Sequence, residues 1–296
     1  MLVANRLAQS NPYWQALPAN EKFGADGFPT GYSRYAQDVL IPSFLAAYTG
    51  KNASGVSLIK QANPAIKTNP FSGIKALPNW RFTYTGLSKL RALSELFSNI
   101  TITHGYSSTL SMNSYNSALL YADPLHYSAP SFIDTISGNY VPFFLVPNIT
   151  IQEQFAPLIG IDITTNSQAS LRFEYQKSRQ LSLSLIDYQL AETRSTGITF
   201  GGSWRKKGVK LPFKLPFIKA DPDQTDLNIS LDMSLRDDIT SNSILDQASA
   251  FGTGGQRVIS IQPSIDYVVS SRVDLKFYFD QQRVKPYIST DRKSVV

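Results

Sequence analysis

The stretch Asp221-Pro222-Asp223-Gln224-Thr225-Asp226 carries alternating oxygen donors, the opening of a calcium loop. It lacks the glycine that turns such a loop and the distal bidentate glutamate, so it reads as a turn entering a strand. Gly252-Thr253-Gly254-Gly255 has the composition of a phosphate cradle but no following Lys-Ser/Thr pair, and reads as a loop tip. His104 and His126 have no evident partners nearby in sequence and read as structural. Carboxylates recur along alternating segments, but spacing along a chain does not set the carboxylate separation on which glycoside hydrolysis depends. Asn52, Asn99, Asn148 and Asn228 match glycosylation sequons by composition alone. No G-x-S-x-G, P-loop or dinucleotide fingerprint is present. The expectation is therefore no catalytic, cofactor-binding or metal-binding residue, no cofactor, and no enzyme.

Composition narrows the classes further. The chain has 296 residues, no cysteine and two histidines, which removes thiolate metal sites, disulfide scaffolds and multi-histidine zinc. Charged residues are 17% and hydrophobic residues 42%, with Ser, Thr, Asn and Gln filling the difference. The aromatic share of 12% argues against disorder. The net charge is +6, yet the one dense basic stretch, Arg205 to Lys219, is interleaved with proline and apolar residues. It reads as a solvated or headgroup-facing loop, and no nucleic-acid partner is expected. No apolar run reaches the ~20 residues of a membrane helix, and no secretory signal opens the chain. The expectation is either a cytosolic protein or an internal piece of a longer one.

The elements needed to position these residues change character along the chain. Residues 1–78 are rich in Pro, Gly and Asn and read as loops with short helices, one of them Gln37–Tyr48 stopped by Gly50. Ser88–Phe97 reads as a helix capped by Ser88. Residues 114–148, with four prolines, read as a long excursion between strands. From about residue 149 the period becomes two. Leu227, Ile229, Leu231, Met233 and Leu235 alternate with polar residues, and so do Val273, Leu275, Phe277 and Phe279. Leu171 to Gln176, Leu181 to Leu185 and Ile259 to Tyr267 continue the pattern, with Pro263 marking a bulge or an edge.

Asp226–Arg236, Arg272–Gln282 and Thr196–Arg205 sustain ten or eleven residues each, beyond the ~5–6 usual in soluble domains and matching the ~9–11 of a transmembrane strand. Asp237-Asp238 and Val269–Ser271 read as tight turns, Lys206–Thr225 and Gln247–Gly255 as long loops. Short turns on one side and long loops on the other are the habit of outer-membrane barrels. A soluble sandwich with long strands stays open on pattern alone. Arg172, Glu174, Asp232, Arg236, Asp274, Lys276 and Asp280 fall on the polar phase of the alternation and are expected to face a wet lumen.

Several segments are familiar. Gly31-Tyr32-Ser33, then Gln37 through Lys51, resembles a signature of the SprA/Sov family, as do Leu77 through Lys89 and His104 through Thr109. Gln256 through Tyr267, and Phe279-Asp280 through Lys285-Pro286-Tyr287, resemble its C-terminal strands. That family supplies the outer-membrane translocon of type IX secretion in Bacteroidetes, also tied to gliding motility. The resemblance implies a very large single-chain barrel that passes folded cargo proteins. It also implies a PorV-like barrel and a periplasmic plug as partners, alongside secreted cargo and outer-membrane lipid. It carries no catalytic residue.

Family members are far longer, so the chain is expected to be a C-terminal fragment lying in the cell outer membrane. Residues 1–78 are taken as a loop and short-helix region and 79–290 as barrel strands. Residues 291–296, which depart from the family's final strand, are taken as a non-native tail. The expected fold class is all-β: a portion of a large antiparallel transmembrane β-barrel of about ten strands, with long strands, short turns, long loops and a few short helices. The alternatives are another outer-membrane barrel, such as a porin or nutrient transporter, and a soluble glycan-binding surface sandwich.

Overall fold

The computed structural model describes residues 1–61, 71, 77–209, 225–245, 251–270 and 273–287. Helices α1 (Leu2–Ser10), α2 (Pro12–Gln15) and α3 (Gln37–Thr49) come first, and a single short turn, α4 (Arg91–Ser94), follows later. The strands are β1 (Trp80–Tyr84), β2 (Phe97–Asn113), β3 (Asn116–Ser117), β4 (Phe144–Leu145), β5 (Asn148–Thr165) and β6 (Ala169–Ser184). They continue with β7 (Gln189–Lys207), β8 (Asp226–Ile244), β9 (Phe251–Ser270), β10 (Val273–Tyr278) and β11 (Gln281–Pro286). The principal sheet runs β1-β2-β5-β6-β7-β8-β9-β10, with β11 also on β9, and every pair is antiparallel. Among the described residues β1 and the β10/β11 strand each pair on one side only. The fold is mostly antiparallel sheet with a few short helices.

Strand length exceeds what the alternation alone indicated. β7 and β8 have 19 residues each and β9 has 20. At ~3.3 Å per residue that is about 60 Å, roughly twice a hydrocarbon core. Asp237-Asp238 is therefore no turn. Both residues lie inside β8, where Asp237 meets Arg257 at 2.8 Å and Asp238 accepts from Ser195 at 2.6 Å. Gly252–Gly255 likewise belongs to β9 rather than to a loop tip, while 246–250 lie outside the described residues. The connections do not sort by side. One end of the sheet carries the tight Asn166–Gln168 turn and the long 208–225 connection; the other carries Leu185–Tyr188 and the long 118–143 excursion. The calcium-like stretch lies mostly outside the described residues, with Asp226 opening β8, and the 291–296 tail lies wholly outside them.

Ser88–Phe97 is not one helix. A 3-10 turn at Gly86–Lys89 and the four residues of α4 precede β2, which starts at Phe97. The apolar spacing there has no helix or sheet face to cover, because Leu90 and Leu96 are exposed.

Arg272–Gln282 is split between β10 and β11, although Tyr278↔Ser264 and Gln281↔Ile261 keep one register. The cause is Pro263. Phe279 donates its N–H to the Pro263 carbonyl at 3.0 Å, so the polar groups of residue 263 point at the edge strand. Proline has no N–H to return the bond.

The helix predicted from Gln37 forms as α3, and Gly50 ends it in the left-handed conformation at φ 65°. α3 is apolar nearly all round because it is covered on two sides. Ile41, Leu45 and Ala46 pack with Phe144, Val146, Ile149, Ile151 and Leu181 of the sheet region. Val39 packs with Val3, Leu7, Trp14, Tyr32 and Tyr140. The N-terminal region and the β2–β5 excursion thus share two buried clusters, one on each side of α3. Asn139 accepts from the Ser33 N–H at 2.9 Å, and Tyr140 N–H bonds the Gly31 carbonyl at 2.8 Å.

Candidate functional site

Register decides which side chains share a face, since directly paired residues point the same way. Asp162 pairs with Arg172, Arg172 with Gly201, Gly201 with Asp232, and Asp232 with Gln262. Gln262 Nε2 then donates to Asp280 Oδ1 at 3.1 Å. One polar row therefore crosses from β5 to the break between β10 and β11. Arg172 Nη2 lies 2.6 Å from Glu174 Oε1, and its Nε 3.7 Å from Asp162. Higher on the same face Arg236 bonds Asp238 at 3.0 Å. Lower down Lys276 lies 3.5 Å from Asp266, and Asp274 stands opposite Val268.

All seven residues read from the sequence, Arg172, Glu174, Asp232, Arg236, Asp274, Lys276 and Asp280, thus belong to one polar face. Their counter-charges Asp162, Asp238 and Asp266 were not singled out from the sequence, although each sits on the same phase of the alternation. The Arg172 side chain keeps 60% of its exposure, so this face is wet. Hydroxyl pairs join neighbouring strands between the charges: Ser170 with Ser203 at 2.7 Å and Ser230 with Ser264 at 2.8 Å. A cavity of about 810 Å³ lies against this face at the Asn166–Gln168 end. Its lining includes Ser98 of β2, Thr164 of β5, Ser203 of β7, Asn228 of β8 and Asp266 of β9.

The opposite face carries an uncovered apolar band. Phe173, Phe200, Met233 and Ile261 form one register row, and Leu171, Gly202, Leu231 and Pro263 the next. Phe200 is 41%, Met233 39% and Ile265 42% exposed, so none of the described residues covers them. The band is bounded at both ends by a lysine over an aromatic ring. Lys206 Nζ lies 5.8 Å from the Trp204 ring, and Lys177 Nζ lies 5.5 Å from the Tyr175 ring. Lys177 pairs with Thr196, ten residues along β7 from Lys206. That separation is ~33 Å along the strand and about 25 Å along the normal of a membrane crossed at ~40°.

From the row of Lys177 upward the apolar phase turns charged, with Asp237 and Arg257 level with Lys177 and Arg179, Arg194 and Glu192 beyond it. It then turns apolar again at Leu181, Ile149 and Ile151, where α3 covers it. Sequence reading passed over these charges. The signal was available: they occupy the apolar phase of the alternation. Tyr48 of α3 and Tyr106 of β2 both donate to Glu153 Oε1, at 2.8 and 2.6 Å, and tie the helical region to the sheet.

His104 and His126 stay apart: His104 bonds the Leu158 carbonyl at 2.7 Å, while His126 lies in the β2–β5 excursion. No helix among the described residues is long and apolar enough to cross a membrane, a statement that leaves strands aside. No protein-family model matches the chain, and no curated protein matches it.

Proposed function

We propose that this chain forms part of the wall of an outer-membrane β-barrel whose lumen conducts protein. The observation that carries the membrane reading is the uncovered apolar band, about 25 Å tall and bounded by Lys177 over Tyr175 and Lys206 over Trp204. In water such a face would be covered; the soluble sandwich needs a second sheet over it, and the only other sheet among the described residues is the two-stranded β3–β4. In lipid the face needs no cover, and the antiparallel ladder satisfies the backbone.

The polar face then lines the lumen, with Arg172, Glu174, Asp232, Arg236, Asp274, Lys276 and Asp280 in water. The shared cavity supports a sheet curved toward that side. A flat sheet would hold β2 and β9 about 24 Å apart across five strand spacings, yet both contribute to one concavity. The one-sided β1 and β10/β11 edges support a wall continued by further strands.

The resemblance of the Gln37–Lys51, Leu77–Lys89 and Gln256–Tyr267 segments to the SprA/Sov family supports a type IX translocon rather than a porin. On this reading the pore passes folded cargo, engages a PorV-like barrel and a periplasmic plug, supports gliding motility and performs no catalysis. These 296 residues hold no cysteine, so a cysteine introduced among them reports on its own position. Single cysteines at Phe200, Met233 and Ile261 should resist a membrane-impermeant maleimide in intact outer membranes, while those at Thr199, Asp232 and Gln262 react. Equal reaction of the two sets removes the membrane reading. Depletion of the gene product should trap folded cargo in the periplasm; unimpaired cargo release leaves a barrel of another kind.

A further inference from the structure

Above the apolar band the sheet places like charges against each other. Arg179 and Arg194 are directly paired across β6 and β7, an arrangement that destabilises a sheet unless something neutralises it. Both reach the same oxygen, Glu192 Oε1, at 2.6 and 2.8 Å. Glu153, the other carboxylate nearby, already accepts from Tyr48 and Tyr106 and stands 3.9 Å from Arg179. The next row holds Lys177, Asp237, Arg257 and Lys285. Among the described residues five cations thus meet three carboxylates on this edge. The Arg194 side chain keeps 68% of its exposure, so its charge is open to an outside ligand.

The cations also step along the register. They sit highest at Arg179 and Arg194 on β6 and β7, then fall to Arg257 on β9 and Arg283 on β11, one row below Lys285. Tilted strands crossing one plane produce that diagonal. Apolar surface lies on both sides, but the upper part is occupied by α3, whereas the lower, with Ile198, Phe200 and Met233, is open. A ligand that fits carries an anion at one end and an apolar tail running down the band.

We propose that Lys177, Arg179, Arg194, Arg257 and Lys285, spread over about 19 Å across four strand spacings, form a belt that holds the phosphate groups of anionic membrane lipids. The proposal rests on the membrane reading above. A free phosphate would use the cations and leave the band bare; a phospholipid uses both.

The test takes the protein purified from outer membranes, reconstituted in phosphatidylcholine vesicles with spin-labelled phosphatidylglycerol or phosphatidylcholine as probe. The wild type should immobilise phosphatidylglycerol preferentially at low salt. The Arg194→Gln/Lys285→Gln variant should lose at least about threefold of that preference with the total of boundary lipid unchanged. Arg194→Lys, which keeps the charge, should retain it, and heat-modifiable gel migration establishes that each variant is folded. Unchanged preference in the folded double variant overturns the site. So does loss of the wild-type preference on adding millimolar inorganic phosphate, at an ionic strength matched with chloride, which assigns the cations to a soluble anion. No immobilised lipid of either kind around the wild type overturns the membrane reading along with the site.

Discussion

Gly201 stands directly opposite Asp232, and a Cβ on that glycine would lie 2.9 Å from Asp232 Oδ1. On its other side the same Cβ would be 3.6 Å from the Arg172 Cβ. The missing side chain is what lets charges on β6 and β8 share one row.

Filling that gap should be costly in a way that filling its neighbour is not. Gly202 points to the opposite face, where a Cβ meets Leu171 at an ordinary 3.5 Å. Gly201→Val must swing the exposed Asp232 carboxylate aside and is expected to be less stable than Gly202→Val by up to about 1 kcal/mol. Urea unfolding midpoints of the two variants in the same vesicles compare them; equal midpoints would refute the role given to Gly201.

A charge placed in the middle of the apolar band should reveal the solvent that covers it. Met233→Arg is expected to cost about 2–4 kcal/mol of folding free energy in lipid, whereas Ser234→Arg, one residue on and facing the polar side, costs little. Folded yield in the outer membrane, read by heat-modifiable migration, measures both. A Met233→Arg protein that folds as well as Ser234→Arg contradicts a lipid-facing band.

Asp38 gives the helical region a pH dependence. It is buried in the first turn of α3, where Gln61 donates to Oδ2 at 2.8 Å and Oδ1 has no partner among the described residues. Burial pushes its carboxyl up to about 7 from an ordinary 3.8, the Gln61 hydrogen bond opposing only part of that rise. The folded state therefore keeps the proton to higher pH than the unfolded chain. Its stability is intact below about pH 4 and falls progressively as pH rises to about 7, by at most about 4 kcal/mol. Burial also raises the neighbouring Tyr32 and Tyr121 hydroxyls, which stay neutral in that range. Protease resistance of the N-terminal region measured from pH 5 to 8 should decline in the wild type and flatten in Asp38→Asn. A parallel decline in both assigns the effect elsewhere.

Contact between α3 and the sheet should be separable from the sheet itself. Ile41 and Ile151 are among the fully buried side chains of their shared core. Ile41→Ala is expected to cost about 2–5 kcal/mol. Residues 1–61 should become readily cleaved while cysteine labelling on the polar face stays as in the wild type. Simultaneous loss of both patterns would mean that sheet and helical region fold as one cooperative unit.

The alternation made the strands legible, because a period of two needs no knowledge of neighbours. It placed Arg172 and Asp280 on one face across five strands. It did not reveal strand length, because Asp237 and Asp238 look like a turn until Arg257 and Ser195 supply partners from β9 and β7. Such partners are set by register, which sequence separation hides. The α3 boundaries were legible through Gly50, a local signal. Ser88–Phe97 failed for the complementary reason: its apolar spacing has no surface to meet. Arg179 and Arg194 were overlooked because they interrupt the expected phase, and the interruption itself marks where the band ends.

Pro263 gives the sheet a seam. The pairing of β9 with its last neighbour is delivered in two stretches of six residues each, with a ladder bond missing between them. The edge strand is held least firmly at that point, and because both stretches keep one register, either of them can set the alignment for the other.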